Sequence, residues 1–143
     1  MSERNVENYI RNFVDSTRSR NRFTFIPDNG TAEINPEIFT NWSLENERRY
    51  LSQVFQVTNR DSLVSLSFRE QSPPNIEFNT ATFTQTYELI VRHSLAEKTP
   101  VLFRGQATFS LERNDSGDWA IYRWEDFTNG ADPSWSELKA FFQ

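Results

Sequence analysis

Two long alternating stretches joined by a four-residue turn constrain this chain more than any other feature. The first stretch runs to Arg113, Asn114-Asp115-Ser116-Gly117 makes the turn, and Trp119 to Phe127 runs back. Alternation on both sides of a glycine-containing turn is the mark of an antiparallel hairpin. A segment introduced by Pro133 follows, carrying Trp135, Leu138, Phe141 and Phe142 at helical spacing. Placed after a helical first half, this ending predicts an α+β domain in which helices back a curved sheet and enclose a concave side.

The first half is read from its apolar period. Val6, Tyr9, Ile10, Phe13 and Val14 predict one amphipathic helix over about residues 3–18, with Ser2 as N-cap. Phe23 to Ile26 reads as a short extended piece stopped by Pro27, and Asp28-Asn29-Gly30 as a turn. Asn35-Pro36 starts a short helix through Trp42. Ser43 caps the next helix, whose buried stripe is Leu44, Leu51, Val54 and Phe55 and whose first turn holds Glu45 and Glu47.

From Ser62 onward the period is two. Val64, Leu66 and Phe68 alternate with polar residues before Pro73-Pro74. Phe83, Tyr87, Leu89, Val91 and His93 then share one face of a strand over about residues 81–95. After a turn at Glu97 to Pro100, Val101, Phe103, Ala107, Phe109 and Leu111 share the matching face of the next strand. The opposite positions are mostly threonine, serine and charge, so an antiparallel meander with one core face is expected. A flat strand of about 15 residues would span about 45 Å, too far for such a domain, so the strands bend. Gly105, on the apolar face, is the expected bend.

A chain of 143 residues forms one domain, here 1–143, and its 13 Phe, 4 Trp and 4 Tyr predict a core of large rings. The net charge is −5, and the arginines between Arg4 and Arg22 are interrupted by Glu3, Glu7 and Asp15. Nucleic acid is therefore not an expected partner. Without cysteine there is no disulfide, thiolate chemistry or Cys-based zinc site, and a single histidine argues against a metal centre. Only 4 glycines leave no phosphate loop, and no cofactor is implied. No run has the length of a membrane-spanning helix. Met1-Ser2 is equally how a chain would open after an export segment was trimmed, so the compartment stays open.

The hairpin Gly105-Gln-Ala-Thr-Phe-Ser-Leu-Glu-Arg113 with Ser116-Gly-Asp-Trp-Ala-Ile121, set in this element order, resembles the nuclear transport factor 2-like superfamily. That superfamily includes ketosteroid isomerase and polyketide cyclase (SnoaL-like) branches. Phe23 to Pro27, Pro36 to Trp42, Trp124-Glu-Asp126 and Ser134 to Phe142 are similar to a group of bacterial exported or lipid-anchored proteins with that fold. The resemblance implies an α+β cone of N-terminal helices on a strongly bent antiparallel sheet with a short C-terminal helix. Because this fold hosts isomerases, cyclases, dehydratases, dimerisation modules and transport adaptors, function rests on the site.

The candidates are few. His93, the one histidine, is either a general base at the mouth of the cone or a hydrogen-bonded residue at a strand end. Glu125 and Asp126 point to opposite faces, and Asp126 either caps the Thr128-Asn129-Gly130 turn or looks inward. By resemblance to the isomerase branch, an inward Asp126 would act as proton-abstracting base with Tyr87 or Tyr9 as hydroxyl donor. Trp42, Tyr87, Trp124 and Asp126 are the candidate ligand-binding residues. Trp119 and Trp135 fall on core periods. The spacing of Trp119, Ile121 and Trp124 breaks alternation, so either a bulge follows Ile121 or Trp124 lies outside with Tyr122 and Ile90. In the latter case a homodimer through the sheet face is expected. Arg69, Arg104 and Arg123 read as solvent-facing strand residues. The leading expectation is a non-catalytic module binding a small apolar ligand or a protein partner. The alternatives are a cofactor-free isomerase or cyclase and a structural dimerisation domain.

Overall fold

The computed structural model describes residues 5–15, 17–58, 64–70, 72–95 and 100–143. Six strands, β1 (Thr24–Ile26), β2 (Ser65–Glu70), β3 (Asn75–Ile76), β4 (Thr80–Ile90), β5 (Leu102–Arg113) and β6 (Trp119–Thr128), form one open sheet ordered β1-β6-β5-β4-β2. The short β3 also pairs with β4, after β2 on the same edge. Pro73-Pro74 lies between the two, where prolines without N–H groups interrupt an edge without breaking a central ladder. Between these strands all pairings are antiparallel except β1 with β6, so the sheet is mixed and not a pure meander.

The helices are α1 (Val6–Ile10), α2 (Asn29–Ile34), α3 (Pro36–Phe39), α4 (Leu44–Val57) and α5 (Trp135–Phe141). Together with the sheet they make the expected α+β cone. The core joins Tyr50, Leu51 and Val54 of α4 and Leu138 of α5 to Leu89, Phe103, Ala107 and Trp124 of the sheet.

Three local expectations change. The amphipathic helix stops at Ile10, because the Asn12 amide Nδ2 donates to the carbonyls of Asn8 and Tyr9, both at 3.1 Å. The chain then extends and pairs with β6: the Ile121 N–H donates to Asn12 O at 2.8 Å, and the Val14 N–H to Ile121 O at 2.9 Å. Phe13 and Val14 remain buried, but as extended residues on a sheet edge. Asp28-Asn29-Gly30 is a helix start instead of a turn, with Asp28 as N-cap accepting from the Thr31 N–H at 3.0 Å. The strand expected to run to about residue 95 ends, as β4, at Ile90, and His93 makes only an isolated bridge with Thr58. The Ser2 cap and most of the turn expected from Glu97 to Pro100 lie outside the described residues.

The bulge after Ile121 is present. Leu111 pairs with Ile121 and Ser110 with Arg123, leaving Tyr122 as the extra residue. This one insertion lets Ile121 and Trp124 face inward together, and it turns Asp126, paired with Ala107, inward as well. Trp124 is fully buried, so the outer patch of Trp124 with Tyr122 and Ile90 does not form. The outer face instead carries Thr84 and Thr108, hydroxyl to hydroxyl at 3.1 Å, and exposed ion pairs of Arg104 with Glu88 and Arg123 with Glu125. Trp119, expected in the core, is 38% exposed, because it pairs with Arg113 at the hairpin tip beyond the helices.

Gly105 serves a close approach. A Cβ there would lie 2.4 Å from the Phe127 carbonyl oxygen and 2.6 Å from the Tyr87 hydroxyl. Gly105→Ala should therefore destabilise the fold. An overpacking cost of about 1–3 kcal/mol exceeds the roughly 0.4–1 kcal/mol gained by stiffening the unfolded chain. Urea denaturation with an unchanged m-value tests this, and a stabilised variant would refute it.

Candidate functional site

Asp126 sits on β6 opposite the first turn of α5. Its Oδ1 accepts from the Tyr87 hydroxyl at 2.7 Å, and its Oδ2 accepts from the Ser136 N–H at 2.7 Å and the Ser136 hydroxyl at 2.5 Å. The Tyr87 oxygen in turn accepts from the Trp135 N–H at 2.7 Å. Ser136 Oγ also accepts from the Asp28 N–H at 2.9 Å, and the Ser134 hydroxyl donates to the Asp28 carboxylate. Burial pushes the Asp126 carboxyl above its ordinary range despite the Ser136 and Tyr87 hydrogen bonds that pull it down. Burial, reinforced by the charge of Asp126, also raises the Tyr87 phenol far above its ordinary value. An inward carboxyl with a raised pKa thus touches a tyrosine hydroxyl, but every donor around it comes from its own fold.

A second polar cluster lies beside the first. Lys139 of α5 and Glu47 of α4 are both fully buried and form an ion pair. The Glu47 carboxylate also accepts from Trp42 Nε1 at 2.7 Å and the Tyr9 hydroxyl at 2.8 Å. The Lys139 ammonium lies 3.6 Å from the ring centroids of both Phe25 and Trp124, with Trp42 and Tyr50 further out at 5.4 and 5.3 Å. This cation–π cage and Glu47 replace water around the charge. Burial lowers the Lys139 ammonium from its ordinary value to about 8, with Glu47 pulling the other way. The pair lies on apolar stripes of both helices: Glu47 between Leu44, Leu51 and Val54, and Lys139 between Trp135, Leu138 and Phe142. Sequence reasoning missed both, although a charge on a buried stripe is a legible signal.

Trp135 joins the clusters. Its backbone N–H meets Tyr87, and its indole Nε1 donates to the Tyr50 hydroxyl at 3.3 Å. It also forms part of the wall of a concave cavity of about 410 Å³. Phe13, Phe68, Phe83, Phe109 and Trp124 supply the other rings, with Leu66, Leu111 and Ile121 between them. Tyr9, Asn12 and Gln85 complete the lining, and no charged side chain among the described residues borders it.

Of the candidate ligand-binding residues, Trp124 borders this cavity, while Trp42, Tyr87 and Asp126 do not. Trp42 is held in the core by Glu47, and Tyr87 and Asp126 are buried at the start of α5. Asp126 does not cap the Thr128–Gly130 turn, whose Gly130 N–H is taken by the Thr128 hydroxyl at 3.0 Å. His93 lies apart from both clusters. Its Nδ1 accepts from the Leu95 N–H at 3.1 Å, so Nε2 carries the proton and meets the Pro100 carbonyl at 2.9 Å. Both nitrogens are engaged in holding the strand end. No cluster of metal-ligating side chains occurs among the described residues, and no helix among them is long and apolar enough to cross a membrane.

No protein-family model and no curated protein matches the chain. Solved structures do match. A conserved protein from Planctomyces limnophilus superposes with a TM-score of 0.64 at 13% identity, covering 86% of this chain and 80% of that one. An NTF-2-like protein of unknown function from Shewanella oneidensis gives 0.56 at 11%, covering 87% and 84%. A ketosteroid isomerase-like protein from Erwinia carotovora gives 0.54 at 11%, covering 90% and 84%. At such identities the likeness shows the fold alone: the chain has the nuclear transport factor 2-like fold.

The buried pair makes a signed prediction. Because the folded pKa of Lys139 is depressed, its charging cost is fully present below about pH 8. That cost is relieved as pH rises toward the unfolded value near 10.4. Wild type should therefore gain stability relative to Glu47→Gln/Lys139→Met between about pH 8 and 9.5, below the range where unfolded tyrosines ionise. At pH 7, Lys139→Met alone should cost about 3–5 kcal/mol, and the double variant less, since the Gln keeps an acceptor and removes the unpaired charge. Urea titrations across this range check both statements. A flat difference with pH would contradict the first.

Proposed function

We propose that this protein is a non-catalytic binding module for a small, uncharged apolar ligand held in the concave cavity of the cone. The observation that carries the reading is the separation of the two environments. Among the described residues Asp126, Glu47 and Lys139 are consumed by internal partners, while the cavity wall is mainly aromatic and aliphatic. Apolar walls with a few polar groups are what ligand pockets of this size require. A cone plugged by its own rings would not leave Phe68 about half exposed at the wall. A pairing through the sheet face has less support, because Trp124 points inward and the outer face is largely threonine and charge.

One observation favours a second reading, a cofactor-free isomerase or cyclase: the carboxyl of Asp126, raised by burial, touches a tyrosine hydroxyl. A base of that kind must reach substrate. Asp126 is instead absent from the cavity wall, where Trp135 packs edge-on against Tyr87 with ring centroids 5.2 Å apart.

A thermal-shift screen against steroids, flavonoids, fatty acids and aromatic acids separates the two. On the binding reading, neutral apolar compounds raise the Tm of wild type, by the equivalent of about 2.7 kcal/mol at 100-fold excess over Kd. The shift survives in Asp126→Asn, itself destabilised by about 1–3 kcal/mol, and disappears in Leu111→Trp, which fills the cavity. Loss of the shift in a folded Asp126→Asn would move the assignment to the enzyme reading. No shift with any compound would remove the small-molecule reading altogether.

A further inference from the structure

Gln85 places an amide in a wall built mainly from rings and aliphatic chains. It borders the cavity from the inward face of β4, between Phe83 and Tyr87, with Ala107 of β5 paired beside it. Ala107 is fully buried and presents only a methyl group, so it offers the amide no partner. Among the described residues no group hydrogen-bonds to the Gln85 side chain. The one fully enclosed side-chain nitrogen or oxygen without a partner there is the Trp124 indole nitrogen. The Gln85 amide, unpartnered on a half-buried residue, is therefore open to a water-sized molecule.

The other polar groups of the wall are already committed. The Tyr9 hydroxyl donates to Glu47, the Asn12 amide nitrogen to the carbonyls of Asn8 and Tyr9, and the Trp135 indole to Tyr50. Trp124 Nε1 is enclosed and out of reach. Among the described residues this leaves Gln85 Nε2 as the free side-chain donor of the cavity, with its own Oε1 as an acceptor next to it. A hydrocarbon filling the space would strip water from this amide and return no hydrogen bond. That costs more than a typical hydrogen bond contributes.

We infer that the cavity takes an uncharged, largely apolar ligand bearing a hydroxyl group, and that Gln85 is the residue that recognises the hydroxyl. This rests on the binding reading above and adds the ligand's polar handle and the residue that sets its specificity. A hydroxyl is the neutral group that can answer either end of the amide, accepting from Nε2 or donating to Oε1. An ionised ligand is not matched, because no charged side chain among the described residues borders the cavity.

The test compares 2-naphthol with 2-methylnaphthalene, which differ by a hydroxyl and a methyl group of similar size. The hydroxyl loses water of its own on entering the cavity. The readout is therefore the ratio of the two dissociation constants in wild type against the same ratio in Gln85→Met, measured by calorimetry. Methionine keeps nearly the shape of glutamine without its amide, so the ratio should move roughly 3- to 10-fold toward the hydrocarbon. Gln85→Leu gives the same comparison should the methionine variant fail to fold. An unchanged ratio, with both compounds still bound, would overturn this inference and leave the binding reading standing. Binding of neither naphthalene by wild type would overturn it too. If no compound of the wider screen binds either, the binding reading falls with it.

Discussion

The hydrogen bond from the Trp135 N–H to the Tyr87 hydroxyl stands at the junction of everything else, since it fixes where the last helix meets the sheet. The first N–H groups of a helix have no partner within it, and here the sheet answers the first two, while the Ser134 hydroxyl takes the Glu137 N–H. Tyr87 takes Trp135, Asp126 takes Ser136, and the Asp28 carboxylate receives the Ser134 hydroxyl. A carboxylate at that end is also favoured by the helix dipole. Gly105 is part of the same construction, because only a residue without a Cβ leaves room for the Tyr87 hydroxyl beside Phe127. Once α5 is seated, Trp135 is placed to wall the cavity and to reach Tyr50, and Lys139 is carried one turn further onto Glu47.

This arrangement bears on what the fold does chemically. An interior with a raised carboxyl, a lowered ammonium and tyrosines at hydrogen-bond distance has the ingredients of acid–base chemistry. The geometry assigns those groups to one another. Asp126 accepts three hydrogen bonds and is fully buried, and Lys139 is enclosed by Glu47 and aromatic faces. Perturbed ionisation here follows from desolvation during assembly of the core. The cavity on the other side of Trp124 and Trp135 is bordered by no charged side chain among the described residues.

Much of this was legible in the residues. Period-two alternation located β4, β5 and β6 and the inward faces of β4 and β5, and the stripe at Leu44, Leu51 and Val54 located α4. The failures share a cause: each depended on a partner distant in sequence. The pattern from Val6 to Val14 is helical in spacing, yet Asn12 ends the helix and the vacant edge of β6 takes the next residues in an isolated bridge. Asp28-Asn29-Gly30 has turn composition, but Asp28 is anchored by Ser134 and Ser136 more than a hundred positions away. Glu47 and Lys139 were visible as charges on buried stripes, but their pairing required the packing of α4 against α5. The direction of Trp124 hung on a single extra residue, Tyr122, whose insertion the broken rhythm signalled without deciding.

The same alternation explains why the cone is open at one end. Along the inward face of β5, Phe103 and Ala107 are buried, while Phe109 and Leu111 are only half-buried. Along β4, Tyr87 and Leu89 are buried, while Phe83 and Gln85 are half-buried. Paired residues share a face, so the sheet continues past the helices with its apolar side uncovered, through Phe68 and Ile121 and out to Ile76 and Trp119. Ile76, Leu111 and Ile121 lie on one row across that end, through Ala81, and Phe68, Ile76 and Trp119 stay exposed. Apolar area left in contact with water forgoes about 25 cal/mol per Å², and a ligand spanning that wall would recover it. The deep end holds the helices in place, and the shallow end is where binding free energy remains available.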